Sequence, residues 1–160
     1  MRKIPWTCGG IGVAVHLLFL RWTVFHGPAD SLRSFMPLVN VAFVLLGGFF
    51  FALFLRHPIS GSMVDHKTSL SRVLTGGLGG MLATLAALQG RYIVLASFLT
   101  YITKVGVPEG SLRTGFLLAI MEIETYGLIE MLYAMVPAFV CGGLTTAGVA
   151  YLSTHIRFFR

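Results

Sequence analysis

Long runs of apolar residues, separated by short polar segments, dominate the chain. A helix that crosses a bilayer needs about 20 predominantly apolar residues, or fewer where it is surrounded by protein. The runs that we predict to span the membrane are 9–26, 37–56, 70–88, 92–105 and 131–153. This pattern predicts an all-α integral membrane bundle of 4–5 transmembrane helices, with five spans as the first choice and four as the alternative.

Turn-forming residues mark the ends of the first two runs. Gly27-Pro28 follows the first run, and His57-Pro58 follows the second and opens the polar segment 57–72. Glycine and proline both interrupt helices, so a turn is predicted at each place. Ser69 or Asp65 is then a candidate cap for the third helix.

The number of spans depends on how Gln89-Gly90-Arg91 is interpreted. One long helix over 73–103 would place Arg91 inside the bilayer, where an arginine is costly and needs a partner. We therefore predict a break there, with Arg91 at the turn between two short spans.

The distribution of Lys and Arg favours the alternative of four spans. Basic residues near span ends prefer one side of the membrane. With four spans, one side holds Arg2, Lys3, Arg56, Lys67, Arg72, Arg157 and Arg160, and the other side holds Arg33, Lys104 and Arg113. Five spans make the two sides nearly equal, so the two interpretations stay open at this point.

Acidic residues set the segment 111–126 apart from the other apolar runs. Glu122 and Glu124 follow a short apolar stretch closely, and an acidic residue at the centre of a lipid-exposed helix costs about 3 kcal/mol. The segment is therefore predicted to be an interfacial or re-entrant helix. The chain is accordingly divided into a four-span bundle over 1–110, and an interfacial helix followed by a final span over 111–160.

The overall composition excludes a water-soluble enzyme. Hydrophobic residues make up 56% of the 160 residues and charged residues only 11%, against about 25% charged residues in ordinary soluble domains. Too few charged side chains are present to cover a soluble surface. The basic residues lie mostly at the ends of apolar runs, which suits lipid headgroups and not nucleic acid.

Glycine pairs are the strongest local pattern. Small residues four apart on a helix let two backbones approach closely in a membrane. A phosphate-binding loop is the other use of such glycines, but the Lys-Ser/Thr that it requires is missing. The predicted helix-packing positions are Gly47, Gly48, Gly76, Gly77, Gly79, Gly80, Gly142 and Gly143.

Few polar residues suggest chemistry. His16 is not predicted to be a haem ligand, because no second histidine lies clearly at the same depth. Glu122, Glu124 and Glu130 are candidate proton carriers, but contact with water or with a neighbouring subunit is the preferred interpretation. No catalytic, cofactor or metal-binding motif is found. The residues predicted to meet lipid headgroups are Arg21, Arg56, Lys67, Arg72 and Arg91.

The order of these features in the middle of the chain resembles a known family. A glycine-bearing second span, a loop with basic and acidic residues and a glycine-rich third span follow one another as Gly47-Gly48, Arg56, Asp65, Ser69-Leu70, Gly76-Gly77-Leu78-Gly79-Gly80 and Leu82-Ala83. This order is similar to that of the Tim channel family of mitochondrial inner-membrane translocases. Four-span members of that family include an accessory subunit of respiratory complex I.

Further residues make the complex I member of the family the closer resemblance. They are Arg21-Trp22-Thr23, Gly27-Pro28, a short fourth span, Lys104-Val105-Gly106 and Glu109-Gly110. The Asp-Pro-x-Asn loop usual in the family is replaced by Asp65-His66-Lys67-Thr68-Ser69. Residues 134–155, beyond the family's length, faintly resemble the single span of the small MWFE subunit of complex I.

The resemblance implies a non-catalytic accessory subunit of mitochondrial complex I, in the inner membrane. Its partners would be other membrane subunits and phospholipids, with bound cardiolipin or another phospholipid as the expected ligand and no other cofactor. The alternatives are a component of an inner-membrane protein translocase and a small membrane transporter.

Overall fold

Four helices make up the part of the chain that the structure, a computed structural model, describes: residues 3–22, 36–64, 69–103 and 112–155. They are α1 (Ile4–Trp22), α2 (Met36–Val64), α3 (Leu70–Thr103) and α4 (Leu112–His155). These residues form no strand. The prediction of an all-α bundle is confirmed.

Each of the four helices contains a stretch that is long and apolar enough to cross a membrane. The stretches are Ile4–Arg21, Met36–Gly61, Leu70–Tyr101 and Gly127–His155. Within the described residues the protein is therefore a multi-pass membrane protein with four such helices, as the alternative interpretation had it. Three of these helices lie before residue 110, where the sequence analysis predicted a bundle of four spans.

The predicted break at residues 89–91 is wrong, because α3 continues without interruption through Arg91. The predicted spans 70–88 and 92–105 are thus two parts of one helix. The prediction assumed that Arg91 would have no partner in the bilayer. The structure supplies one, Glu130 on α4, so the helix need not end to bring the guanidinium to the surface.

The predicted end of the second span near Arg56 is also wrong. Helix α2 runs on to Val64 and includes Pro58. A proline inside a helix leaves the carbonyl four residues earlier without its N–H partner, here the carbonyl of Phe54. That carbonyl oxygen lies only 3.2 Å from the position that a Cβ on Gly79 would occupy, so the glycine lets α3 approach the interrupted turn closely.

The segment 111–126 is not a separate interfacial helix in the structure. Residues from Leu112 onward form the first part of α4, which is 44 residues long, or about 66 Å at 1.5 Å per residue. This exceeds a hydrocarbon layer of about 30 Å, so the helix is long enough to hold both the acidic segment and the final span. Glu122 and Glu124 are exposed on it.

The helices run antiparallel to their neighbours along the chain. α2 packs against the other three helices, and α4 packs most extensively on α3. Two apolar clusters form the core, one around Phe51 and Leu55 and the other around Phe43 and Leu88. Both clusters include residues of α4, so the packed core does not divide at residue 110.

Helices α3 and α4 cross where glycine faces glycine. A Cβ on Gly80 would lie 2.5 Å from the carbonyl oxygen of Ala138 and 2.8 Å from the Cα of Gly142. A Cβ on Gly76 would overlap the hydroxyl of Thr146. Because the atoms in the way at Gly80 belong to backbone, that side of α3 has no room for a side chain.

Glycines also allow close contact where α1 and α2 cross. A Cβ on Gly47 would overlap the ring of His16, and one on Gly48 would lie 2.6 Å from Val13 Cγ2. The facing residue on α1 is Gly12, whose Cβ would lie 3.0 Å from the Gly47 carbonyl oxygen. Gly12 was not among the predicted packing positions.

The other predicted packing glycines also face helices of the same chain. Gly77 faces the ring of Phe139 on α4, and Gly143 faces Val73 on α3. Gly79 faces α2, so all eight predicted positions lie against a helix of this chain. The sequence pattern alone did not say whether the partner helices belong to this chain or to another.

The α3–α4 crossing yields a stability prediction. Gly80→Ala should lower the stability of the folded chain by about 1–3 kcal/mol, the usual cost of overpacking, because its methyl group meets backbone on α4. The matched control is Gly10→Ala, since a Cβ on Gly10 meets nothing within 4 Å. Thermal unfolding in detergent should show a clear loss for the first variant and none for the second. Equal behaviour of the two variants would contradict the packing described.

Candidate functional site

A charged pair lies inside the bundle, between α3 and α4. Arg91 Nη1 donates a hydrogen bond of 2.7 Å to Glu130 Oε1, and the two side chains are only 1% and 14% exposed. A charge in hydrocarbon is stable only with a counter-charge or hydrogen-bond partners at hand. The pair is therefore the main polar feature of the interior and the strongest candidate for a functional site.

Tyr92 completes the environment of the carboxylate. Its hydroxyl donates to Glu130 Oε2 at 2.9 Å and lies 3.3 Å from the carbonyl oxygen of Gly127. A Cβ on Gly127 would lie 2.6 Å from the Tyr92 ring, so the absence of a side chain there admits the phenol. Both oxygens of Glu130 thus accept hydrogen bonds from consecutive residues of α3.

The guanidinium of Arg91 also meets an aromatic ring of α2. Its Cζ atom lies 5.5 Å from the centre of the Phe43 ring, within the range of an attractive cation–π contact. On the side toward α4, Gln89 Nε2 lies 3.9 Å from Met131 Sδ. Arg91 is therefore held between α2 and α4 and links three helices.

The depth of the pair follows from its neighbours. The apolar stretch of α1 has 18 residues, about 27 Å, and so matches the hydrocarbon thickness of about 30 Å. His16 lies roughly 5 Å from the middle of that stretch. The Phe43 ring contacts His16 at a centroid distance of 5.0 Å as well as Arg91. The charged pair therefore lies within the hydrocarbon region.

This geometry differs from the sequence-based expectation for both residues. Arg91 was predicted at a turn, among headgroups, but it lies inside the bundle. Glu130 was predicted to meet water or a neighbouring subunit, but its partners are Arg91 and Tyr92 of the same chain. Glu122 and Glu124, in contrast, are exposed on α4 and take no part in the pair. In this arrangement the charges of Arg91 and Glu130 neutralise each other, and their side chains fill the space between α3 and α4.

The His16 ring occupies the space that Gly47 leaves where α1 and α2 cross. Its Nδ1 donates to the carbonyl oxygen of Gly12 at 2.7 Å, and its ring contacts the edges of Phe43 and Phe51. Its Nε2 is buried and finds no hydrogen-bond partner within the described residues.

The other residues predicted to contact lipid headgroups differ in their exposure and contacts. Arg21 and Arg56 are exposed. Arg72 is half-buried and donates to the carbonyl of Gly61 near the end of α2. Arg56 lies five residues before Gly61, about 140° round the helix, so it does not share the location of Arg72. Lys67 lies outside the described residues.

No group of three or more His, Cys, Asp or Glu side chains within the described residues is arranged to hold a metal ion. Cys8 is buried and Cys141 half-buried, and both are free thiols in the same apolar cluster. The expectation of no cofactor other than lipid stays a prediction.

Two residues of the site were missed by the sequence interpretation. Tyr92 follows Arg91 directly and was assigned to the start of a separate span, and Phe43 lies on α2 among other apolar residues. The spacing of Arg91 and Glu130 carried no signal, because 39 residues separate them in the sequence. The only signal in the sequence was that an arginine placed inside the bilayer would need a partner.

Comparison with known proteins yields no match: no family model, no curated protein and no solved structure is similar to this chain.

The charged pair predicts a characteristic pattern of mutational effects. Arg91→Leu and Glu130→Leu should each destabilise the fold by about 3 kcal/mol, because each leaves a buried charge unpaired. The double variant should lose less than the sum, since it leaves no charge behind. Glu124→Leu is the matched control on the exposed side of α4. Unfolding midpoints of the four variants test this, and strictly additive losses would mean that the two side chains do not interact.

Proposed function

We propose that the chain is a non-catalytic accessory subunit of a large membrane complex, and specifically of mitochondrial respiratory complex I. The specific assignment rests on the resemblance of its glycine, charge and loop pattern to the Tim channel family. The location in the mitochondrial inner membrane belongs to the same proposal. In this role the chain would hold neighbouring subunits and lipids in place, while electron transfer and proton pumping occur elsewhere.

The observation that carries the structural role is the closed interior. Glu130 is bonded to Arg91 and Tyr92, so the acidic group that lies within the spans is already occupied by partners in the chain. A proton or solute pathway needs such groups to be open to water or substrate. Because the polar groups of Arg91 and Glu130 bond to groups of the same chain, the pair suits a role in helix packing better than a role in transport.

The glycine face of α3 argues against the translocase alternative. A translocase of the resembled family should offer a polar groove along its small-residue face. Here Gly76 and Gly80 lie against Thr146 and Gly142 of α4. The small-residue face is thus filled by the chain itself, which favours the structural subunit.

One observation favours a second candidate, a small membrane transporter. Ionisable residues inside a membrane often mark ion or substrate pathways, and Arg91 and Glu130 are such residues. The two candidates differ in what neutralising the glutamate should do: a structural role predicts an effect on stability or assembly only, and a transporter predicts a loss of transport in a folded protein.

Co-migration on native gels tests the assignment. A tagged chain should run with assembled complex I, and Glu122→Gln, Glu124→Gln and Glu130→Gln should leave NADH:ubiquinone turnover per assembled complex unchanged. Any loss of total activity should follow the amount of complex. A chain that never co-migrates with the complex would contradict the assignment. Full assembly with pumping abolished by Glu130→Gln would show instead that the carboxylate takes part in transport.

Arg56 is a candidate contact for the phospholipid expected as a ligand. Arg56 is exposed near the end of the apolar stretch of α2, where its side chain can extend to headgroup depth. An arginine near an anionic surface contributes about 1 kcal/mol, or about fivefold in binding. Arg56→Gln should therefore reduce cardiolipin retention about fivefold in native mass spectrometry. Phosphatidylcholine retention is the control and should not change; equal cardiolipin retention by the variant and the natural protein would remove this contact.

A further inference from the structure

The order of the four helices fixes which parts of the chain share a face of the membrane. Consecutive helices are antiparallel; along α3 and α4, for example, Gly76 meets Thr146 and Tyr92 meets Gly127. The links 23–35, 65–69 and 104–111 are each shorter than the about 20 residues that a span needs. The start of α1, the link between α2 and α3 and the end of α4 therefore belong to one face. The other two links belong to the opposite face.

Charged residues are divided unequally between these two faces. The first, the basic face, has seven basic residues and one acidic residue: Arg2, Lys3, Arg56, Lys67, Arg72, Arg157, Arg160 and Asp65. The second face has four basic and four acidic residues: Arg21, Arg33, Lys104, Arg113, Asp30, Glu109, Glu122 and Glu124. Arg91 and Glu130 pair inside the bundle and belong to neither face. The whole formal net charge of +6 is therefore carried by the basic face.

Helix α4 projects beyond its described neighbours on the second face. Counted from the Arg91–Glu130 pair, α3 ends 12 residues away at Thr103, whereas α4 begins 18 residues away at Leu112. The difference of six residues corresponds to about 9 Å of helix. This overhang, residues 112–126, precedes the apolar stretch of α4 and exposes Glu122 and Glu124. The compartment into which it projects decides which partners it can meet.

An energised membrane distinguishes the two faces by their basic residues. The electrical potential acts on every charged group, and Lys and Arg near span ends are retained on the negative side of the membrane. Acidic residues contribute little to this bias, so the count that matters is seven basic residues against four. That difference favours one orientation of the bundle over the other.

We propose that the basic face lies on the electrically negative side of the membrane and that the overhang of α4 projects on the positive side. The negative side is the cytoplasm of a bacterium or the matrix of a mitochondrion. With the location proposed above, the overhang lies in the intermembrane space, and Glu122 and Glu124 meet partners there. Only this naming of the compartments rests on the proposed function. A chain in the reverse orientation could still co-migrate with complex I, so the two tests fail independently.

Labelling of single cysteines tests the orientation. The full chain carrying Cys8→Ala and Cys141→Ala is expressed in bacteria, and one cysteine is added at Gly115 in the overhang or at His155 on the basic face. Both positions are exposed, and a Cβ on Gly115 meets nothing within 4 Å. A membrane-impermeant maleimide added to spheroplasts should label Gly115→Cys, and should label His155→Cys only after permeabilisation. Reversed labelling, or equal labelling of both positions from outside, would overturn the proposal.

Neutralising part of the basic face tests the cause. Arg2→Gln, Lys3→Gln and Lys67→Gln together leave four basic residues there, as many as on the second face. Labelling of His155→Cys from outside should then rise from almost none to about half of that seen after permeabilisation, because the bias is removed. Full protection of His155→Cys in this variant would contradict the role given to the basic residues.

The matched control removes three basic residues from the second face. Arg33→Gln, Lys104→Gln and Arg113→Gln lower its count from four to one and so strengthen the bias. His155→Cys should stay protected from the external maleimide in this variant. Loss of protection here, as large as in the first variant, would show that any charge removal disturbs insertion and would also contradict the proposal.

Discussion

An arginine inside a hydrocarbon layer must have its counter-charge inside the layer too. In this protein the arginine is Arg91 and the counter-charge is Glu130, 2.7 Å away on the neighbouring helix. The pair lets α3 remain one unbroken helix, because Arg91 need not reach the surface at a turn. It also fixes which part of α4 crosses the membrane beside α3. Loss of either partner alone would leave a buried charge unpaired and would destabilise the contact between the two helices.

Two contacts together set the register of α3 and α4. Gly80 meets Gly142 at one level, and Arg91 meets Glu130 eleven residues along α3, or about 16 Å away. The glycine contact sets how closely the helices approach, and the charged pair sets how far one slides along the other. Because both partners belong to this chain, the small-residue face is closed internally. That closure supports the proposed role as a packing subunit.

The sequence predicted the class of fold better than the limits of its helices. Apolar runs and paired glycines reflect local chemistry and can be recognised without a structure. The continuity of α3 through Arg91 could not, because it depends on a residue 39 positions away. The continuation of α2 through Pro58 also goes against a local signal, since prolines are tolerated more often in membrane helices than in soluble ones. Gly79 of α3 lies close to the carbonyl of Phe54 that this proline leaves free.

The most direct test of this account is an experimental structure of the chain in a lipid nanodisc, at a resolution that shows side chains. The account predicts that α3 is continuous across Gln89-Gly90-Arg91, and that the guanidinium of Arg91 lies within hydrogen-bonding distance of the Glu130 carboxylate. A helix break at Gly90, with Arg91 turned toward the headgroups and Glu130 bonded elsewhere, would contradict it.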